Sequence, residues 1–146
     1  MPADEASEAA EEEVWCQDQR DQICDYIRRQ GLGQARIGDR PAWHVFPYVA
    51  LWAIESLTRT GSVGWWAISG DLPTDYVTCS GGRHPRDGVR DIARKWQQVA
   101  DDWTNGRESA DITIGATEDR LTLAPMLSSR AQMLLDWTAD DTLWDS

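Results

Sequence analysis

At 146 residues the chain has room for one domain with a single core, and its nine tryptophans offset an apolar share of 41% by the large area each can bury. No stretch approaches the roughly 20 apolar residues of a membrane span, which excludes an integral membrane protein of the helical kind. The net charge of −11 lies at the ends: residues 1–13 carry six acids and no base, residues 136–146 four acids and no base, and the middle 15 acids against 14 bases. That distribution argues against nucleic acid as the main partner, which needs concentrated positive charge, and for solvated or interacting termini rather than an acidic active site.

Residues 1–7 read as a disordered acidic tail, and the lack of a basic-then-apolar pattern over Met1 to Glu13 argues against a secretory signal, leaving the cytoplasm as the expected compartment. Ser7 can cap a helix over 8–30, with Glu8 and Glu11 to Glu13 at its positive end, Arg28 and Arg29 at its negative end and Gly31 as its left-handed stop. Its apolar stripe is thin: Cys16, Ile23 and Ile27, flanked by Trp15 and Tyr26. Residues 31–40 read as a loop. The run 43–56 is almost continuously apolar, and Pro47 could open a helix there, because periodicity does not separate a buried strand from a buried helix. A strand over 48–57 is preferred, since the turn-forming residues 58–62 follow it and lead into a plain strand over 63–69.

In that second strand Val63, Trp65, Ala67 and Ser69 alternate with Gly64, Trp66 and Ile68, so both faces are apolar. Residues 76–79 suggest a third short strand and 111–115 a weaker fourth. Pro85 suits the first turn of a core helix over 85–105, whose Val89, Ile92, Ala93, Trp96, Val99, Ala100 and Trp103 share one face. Asn105-Gly106 ends it. A last helix over 125–138 buries Leu127, Ala131, Leu134 and Leu135, and shows a second stripe of Met126, Met133 and Trp137. That stripe suits either a homodimer seam or a tail, Leu143-Trp144, folded back over it. Cys16, Cys24 and Cys79 are odd in number and form no CxxC pair, so neither a zinc site nor a disulfide framework is suggested.

Three constellations could carry chemistry. Asp71 and Asp75 flank Leu-Pro-Thr and could share a metal or divide acid and base work, but a turn locked by Pro73 explains them better. His84, with Arg83 and Arg86 beside it and Gly81-Gly82 before, resembles an anion site at a helix start, although a capping histidine is the simpler reading. No P-loop and no nucleophile elbow is present. Arg86, Arg90 and Arg94 recur every four residues along one flank of the core helix. Arg86 lies where the helix dipole opposes a cation by about 0.3–1 kcal/mol. An acidic neighbour such as Asp101, a folded-back acidic terminus or a ligand would relieve that cost, although an ordinary solvated face is the leading reading of the stripe.

The segments Val49-Ala50-Leu51-Trp52-Ala53-Ile54-Glu55-Ser56 and Val63 to Val77, with its core Gly-Trp-Trp-Ala-Ile-Ser-Gly-Asp-Leu-Pro-Thr-Asp-Tyr, resemble a family of small bacterial proteins that form a domain of unknown function. The likeness extends through His84-Pro85-Arg86 and Ser129 to Trp144, and implies a compact domain without assigning a reaction. The expectation is thus a single α+β domain over 8–146, a small antiparallel sheet built on a central hairpin and packed by three helices. The expected function is a non-enzymatic interaction module, such as an inhibitor, immunity or adaptor protein, that binds another protein without metal or cofactor. The alternative is a small enzyme or ligand-binding protein using the 70–84 loop, with Asp71, Asp75, Tyr76 and His84 converging on a pocket.

Overall fold

The computed structural model describes residues 2–32, 35–79, 84–106 and 120–144, with side chains from residue 7 in the first helix and from residue 121 in the last. It is an α+β fold of three helices and a four-stranded antiparallel sheet. Its contacts form two compact units, Met1–Cys79 and Ser80–Ser146.

In the first unit, α1 runs over Pro2–Arg29. It starts at Pro2, five residues before the expected Ser7, because Ala and Glu are good helix formers and acids near the helix start are favoured by its dipole. The thin stripe is as expected: Cys16, Ile23 and Ile27 are buried, joined by Gln19. The end is a Schellman motif. Gly31 takes φ +84°, its N–H donates to Arg28 O at 3.1 Å, and Leu32 N–H donates to Ile27 O at 2.9 Å.

The sheet has the order β1 (Trp43–Val45), β2 (Val49–Glu55), β3 (Val63–Gly70) and β4 (Asp75–Thr78), each antiparallel to the next. Residues 49–55 are therefore a strand, and Pro47 lies in the turn before it, after a cis Phe46–Pro47 bond. The expected hairpin pairs Trp52 with Ala67 and Ala53 with Trp66. Its turn is held by Ser56 Oγ, which accepts from the N–H groups of Thr58 and Arg59, and by the Glu55 carboxylate, which accepts from Gly61 N–H at 2.9 Å.

Alternation along these strands divides the core. Ala50, Trp52, Ile54 and Ala67 form one cluster with Ile23 and Ile27 of α1, and Trp15, Tyr26, Trp65 and Tyr76 pack at its margin. On the other face Val49, Leu51, Trp66 and Ile68 are buried as well, so two-faced burial explains the near-continuous apolar run. Trp52 Nε1 donates to Ser69 Oγ at 3.3 Å, whereas the buried Trp66 Nε1 finds no partner among the described residues.

In the second unit, α2 (Pro85–Thr104) starts on His84, whose Nδ1 accepts from Arg86 N–H at 3.0 Å, and ends at Asn105 and Gly106. All seven expected core residues of this helix are buried, together with Gly88. The third helix, α3 (Arg120–Ala139), begins five residues before Pro125, which sits inside it rather than opening it. Ala124, Leu127, Ala131 and Leu134 are buried; Leu135 is only half-buried. The two helices pair antiparallel, as the first turn of α2 meets the last turn of α3: Arg86 Nε donates to Thr138 O at 2.6 Å. After Asp140, a 3₁₀ turn over Asp141–Leu143 carries Trp144 back, so that its Nε1 donates to Trp137 O at 2.9 Å. The weaker strand expected over 111–115 lies outside the described residues.

Candidate functional site

The residues singled out from the sequence are divided between the two compact units. Asp71, Asp75 and Tyr76 belong to the first unit, His84 and the arginine stripe to the second, and Arg83 lies outside the described residues. Asp71 is an exposed turn residue whose N–H donates to Tyr48 O at 2.8 Å. Asp75 opens β4 opposite Ile68 and is only 3% exposed. Tyr76 packs edge-on to Tyr26 with ring centroids 5.9 Å apart, at the margin of the core.

His84 caps α2 and lies edge-on to Trp144. Arg86 meets an acid from the C-terminal segment: Nη2 donates to Asp141 Oδ1 at 2.6 Å. The cation in the first turn is thus offset by a folded-back acidic terminus. Arg90 reaches Asp87 at 3.2 Å, and Arg94 is exposed with no partner among the described residues. Met126, Met133 and Trp137 are half-buried. Among the described residues no three His, Cys, Asp or Glu side chains gather as a metal site, and no helix is long and apolar enough to cross a membrane.

A groove of about 480 Å³ instead runs along the N-terminal half of α1. Ser7, Ala10, Glu11, Val14 and Asp18 recur at three- and four-residue spacing and so share one side of the helix. Trp15 and Phe46 wall the groove and hold each other edge-on, with ring centroids 5.5 Å apart. Val14, which lines the same groove, is 62% exposed. Tyr48, two residues beyond Phe46, is also exposed.

Charge surrounds this apolar strip. Residues 2–18 contain seven acids and no base. Glu12 and Glu13 are committed to tying α1 to the segment 40–46: Glu12 meets His44 Nε2 at 3.2 Å and Glu13 meets Arg40 at 2.9 Å. Beneath them, burial and the neighbouring Glu12 push the Cys16 thiol up from its ordinary value, Arg40 opposing, so it stays protonated. Glu11 and Asp18 remain on the groove itself as an acidic rim.

A family model for a domain of unknown function, DUF4826, matches residues 9–144. The chain belongs to that family. No curated protein and no solved structure matches it. The DUF4826 match spans both compact units and includes all of the groove stripe except Ser7. The groove was not anticipated from the sequence, in which Trp15 counts only as a flank of the buried stripe. A signal was present: Ala10 and Val14, four apart, give α1 a second small apolar stripe that its own sheet-facing stripe does not need.

Proposed function

We infer that this DUF4826 protein is a bacterial, cytoplasmic, non-enzymatic interaction module of the inhibitor, immunity or adaptor kind. Its α1 groove receives an amphipathic, basic helix from a partner protein. The observation that carries this reading is the exposed Val14 in a groove that it lines together with Trp15, Phe46, Glu11 and Asp18. Burying a valine side chain against aromatic walls is worth about 1.5–3 kcal/mol, enough to make one residue an anchor. The acidic rim, without an ion-pair partner among the described residues, selects a partner of positive charge and speeds its approach. The Gly64–Tyr76 segment serves as the family's structural signature, supporting the sheet on which α1 rests.

The test is capture from the native host by the tagged full chain and by Val14→Lys, which reverses the chemistry of the strip at an exposed position. The wild type is expected to retain one stoichiometric partner that Val14→Lys loses and that elutes as salt is raised. Capture of nothing stoichiometric overturns the interaction reading. A partner held equally by Val14→Lys overturns the groove.

A further inference from the structure

Along α1 the charge changes sign: seven acids precede residue 19, whereas residues 19–29 carry Arg20, Arg28 and Arg29 against Asp21 and Asp25. Arg20 and Arg28 line a cleft of about 350 Å³ between α1 and the segment 35–37, which contributes Arg36. Ile27, Ala35, Ile37 and the half-buried thiol of Cys24 complete its lining.

Arg20 is fixed by neutral groups. Its Nε donates to Gly38 O at 3.0 Å and its Nη2 to Ile37 O at 3.4 Å, which orients the guanidinium without neutralising it. Among the described residues neither Arg20 nor Arg36 meets a carboxylate, and Arg28 reaches Asp25 only at 3.4 Å between two exposed side chains. Three cations so placed in a chain of net charge −11 are a local feature. Acids beyond about 8 Å are largely screened at physiological salt, and Asp25 at 3.4 Å offsets only part of the Arg28 charge, so Arg20 and Arg36 weigh most in the cleft's potential.

Guanidinium forks match phosphate oxygens in bidentate geometry, and a dianion answers three cations better than a carboxylate does. The half-buried Ala35 and Ile37 offer apolar surface beside the charge. The geometry points to a binding site for a small organic phosphate, its phosphate held among Arg20, Arg28 and Arg36 and its apolar body against the half-buried Ala35 and Ile37. This site stands independently of the α1 groove.

Cys24 makes the site testable without knowing the natural ligand. The full chain is titrated calorimetrically with phenyl phosphate, inorganic phosphate and benzoate, while alkylation of each cysteine by iodoacetamide is followed by peptide mapping. Phenyl phosphate is expected to bind tightest and to slow alkylation of Cys24 severalfold, leaving Cys79 unchanged; buried Cys16 reacts slowly throughout. Arg36→Gln, at an exposed position, should weaken phenyl phosphate about tenfold, as loss of one charge-assisted hydrogen-bonding group implies. Arg36→Lys should recover part of that, and Val14→Lys should change nothing. Absence of both binding heat and Cys24 protection overturns the site. Benzoate binding as tightly as phenyl phosphate overturns the choice of phosphate, and unchanged affinity in Arg36→Gln overturns the location.

Discussion

Gly70 and Gly64 show why the Gly64–Tyr76 segment is so particular. Gly70 takes φ +134°, and a Cβ there would collide with Tyr48 O and lie 2.8 Å from Val49 Cα. Gly64 has ordinary backbone angles, but its Cβ would come within 2.8 Å of Ser56 Cα. Both glycines thus let a neighbouring strand end approach closely. Gly70→Ala should cost about 2–4 kcal/mol in urea unfolding, combining a strained backbone with a backbone clash. Gly61→Ala, with φ +84° but open space around it, should cost only about 1–2 kcal/mol. Equal costs at the two positions would show that backbone angle alone matters. The sequence displays these glycines and the adjoining turn plainly. What it hides is their partners, since Tyr48 and Ser56 become neighbours only through the register of β2 on β3.

Elements with strong periodicity were legible, and those lacking it were not. Helix α2 could be read to within a residue because seven apolar positions, a capping histidine, Pro85 and Asn105-Gly106 agree. Helix α3 begins earlier than Pro125 suggests: Pro125 is its sixth residue, past the first four whose N–H groups lack partners, so the helix gives up one backbone hydrogen bond there rather than starting at the proline. Strand β1 spans three residues, too few for alternation to register. The α1 groove needs Phe46 beside Trp15, a tertiary pairing that no local pattern announces. The short turn after α3 yields a prediction of its own. Thr142 donates from both its hydroxyl and its N–H to Asp140, which holds that carboxyl below its ordinary value of 3.8. A depressed folded-state value means that the cap is fully present above the ordinary value and is lost as pH falls through the lowered one. The Thr142 amide resonance should therefore titrate with a midpoint below 3.8, and Asp140→Asn should abolish that titration while keeping the cap. A midpoint at or above the ordinary value would contradict the cap.

At the scale of the molecule, the sign of the salt effect tests which electrostatic contribution dominates. The ion pairs Arg28–Asp25 and Arg40–Glu13 join exposed side chains, and Arg86–Asp141, Arg90–Asp87 and His44–Glu12 join partners that are all at least 27% exposed. Pairs of this kind are worth about 0–1 kcal/mol each and weaken with salt. Against them stands self-repulsion in a chain of net charge −11, with seven acids and no base over residues 2–18. Repulsion among many like charges accumulates, whereas a few solvated pairs add little, so screening should favour the folded state. Raising NaCl from about 10 to 150 mM, where the Debye length falls to about 8 Å, should therefore stabilise the protein by about 1 kcal/mol. For a chain of this size that corresponds to a rise in Tm of about 3–5 °C, measurable by differential scanning calorimetry at pH 7. Replacing Glu8, Glu11 and Asp18 with their amides should raise the low-salt Tm and flatten its salt dependence, because these acids add repulsion and have no ion-pair partner among the described residues. A wild-type Tm that falls with salt would mean that the ion pairs outweigh the repulsion. An unchanged slope in the triple variant would move the repulsion away from the groove, and with it the argument that the acidic rim of α1 is held in excess for a basic partner.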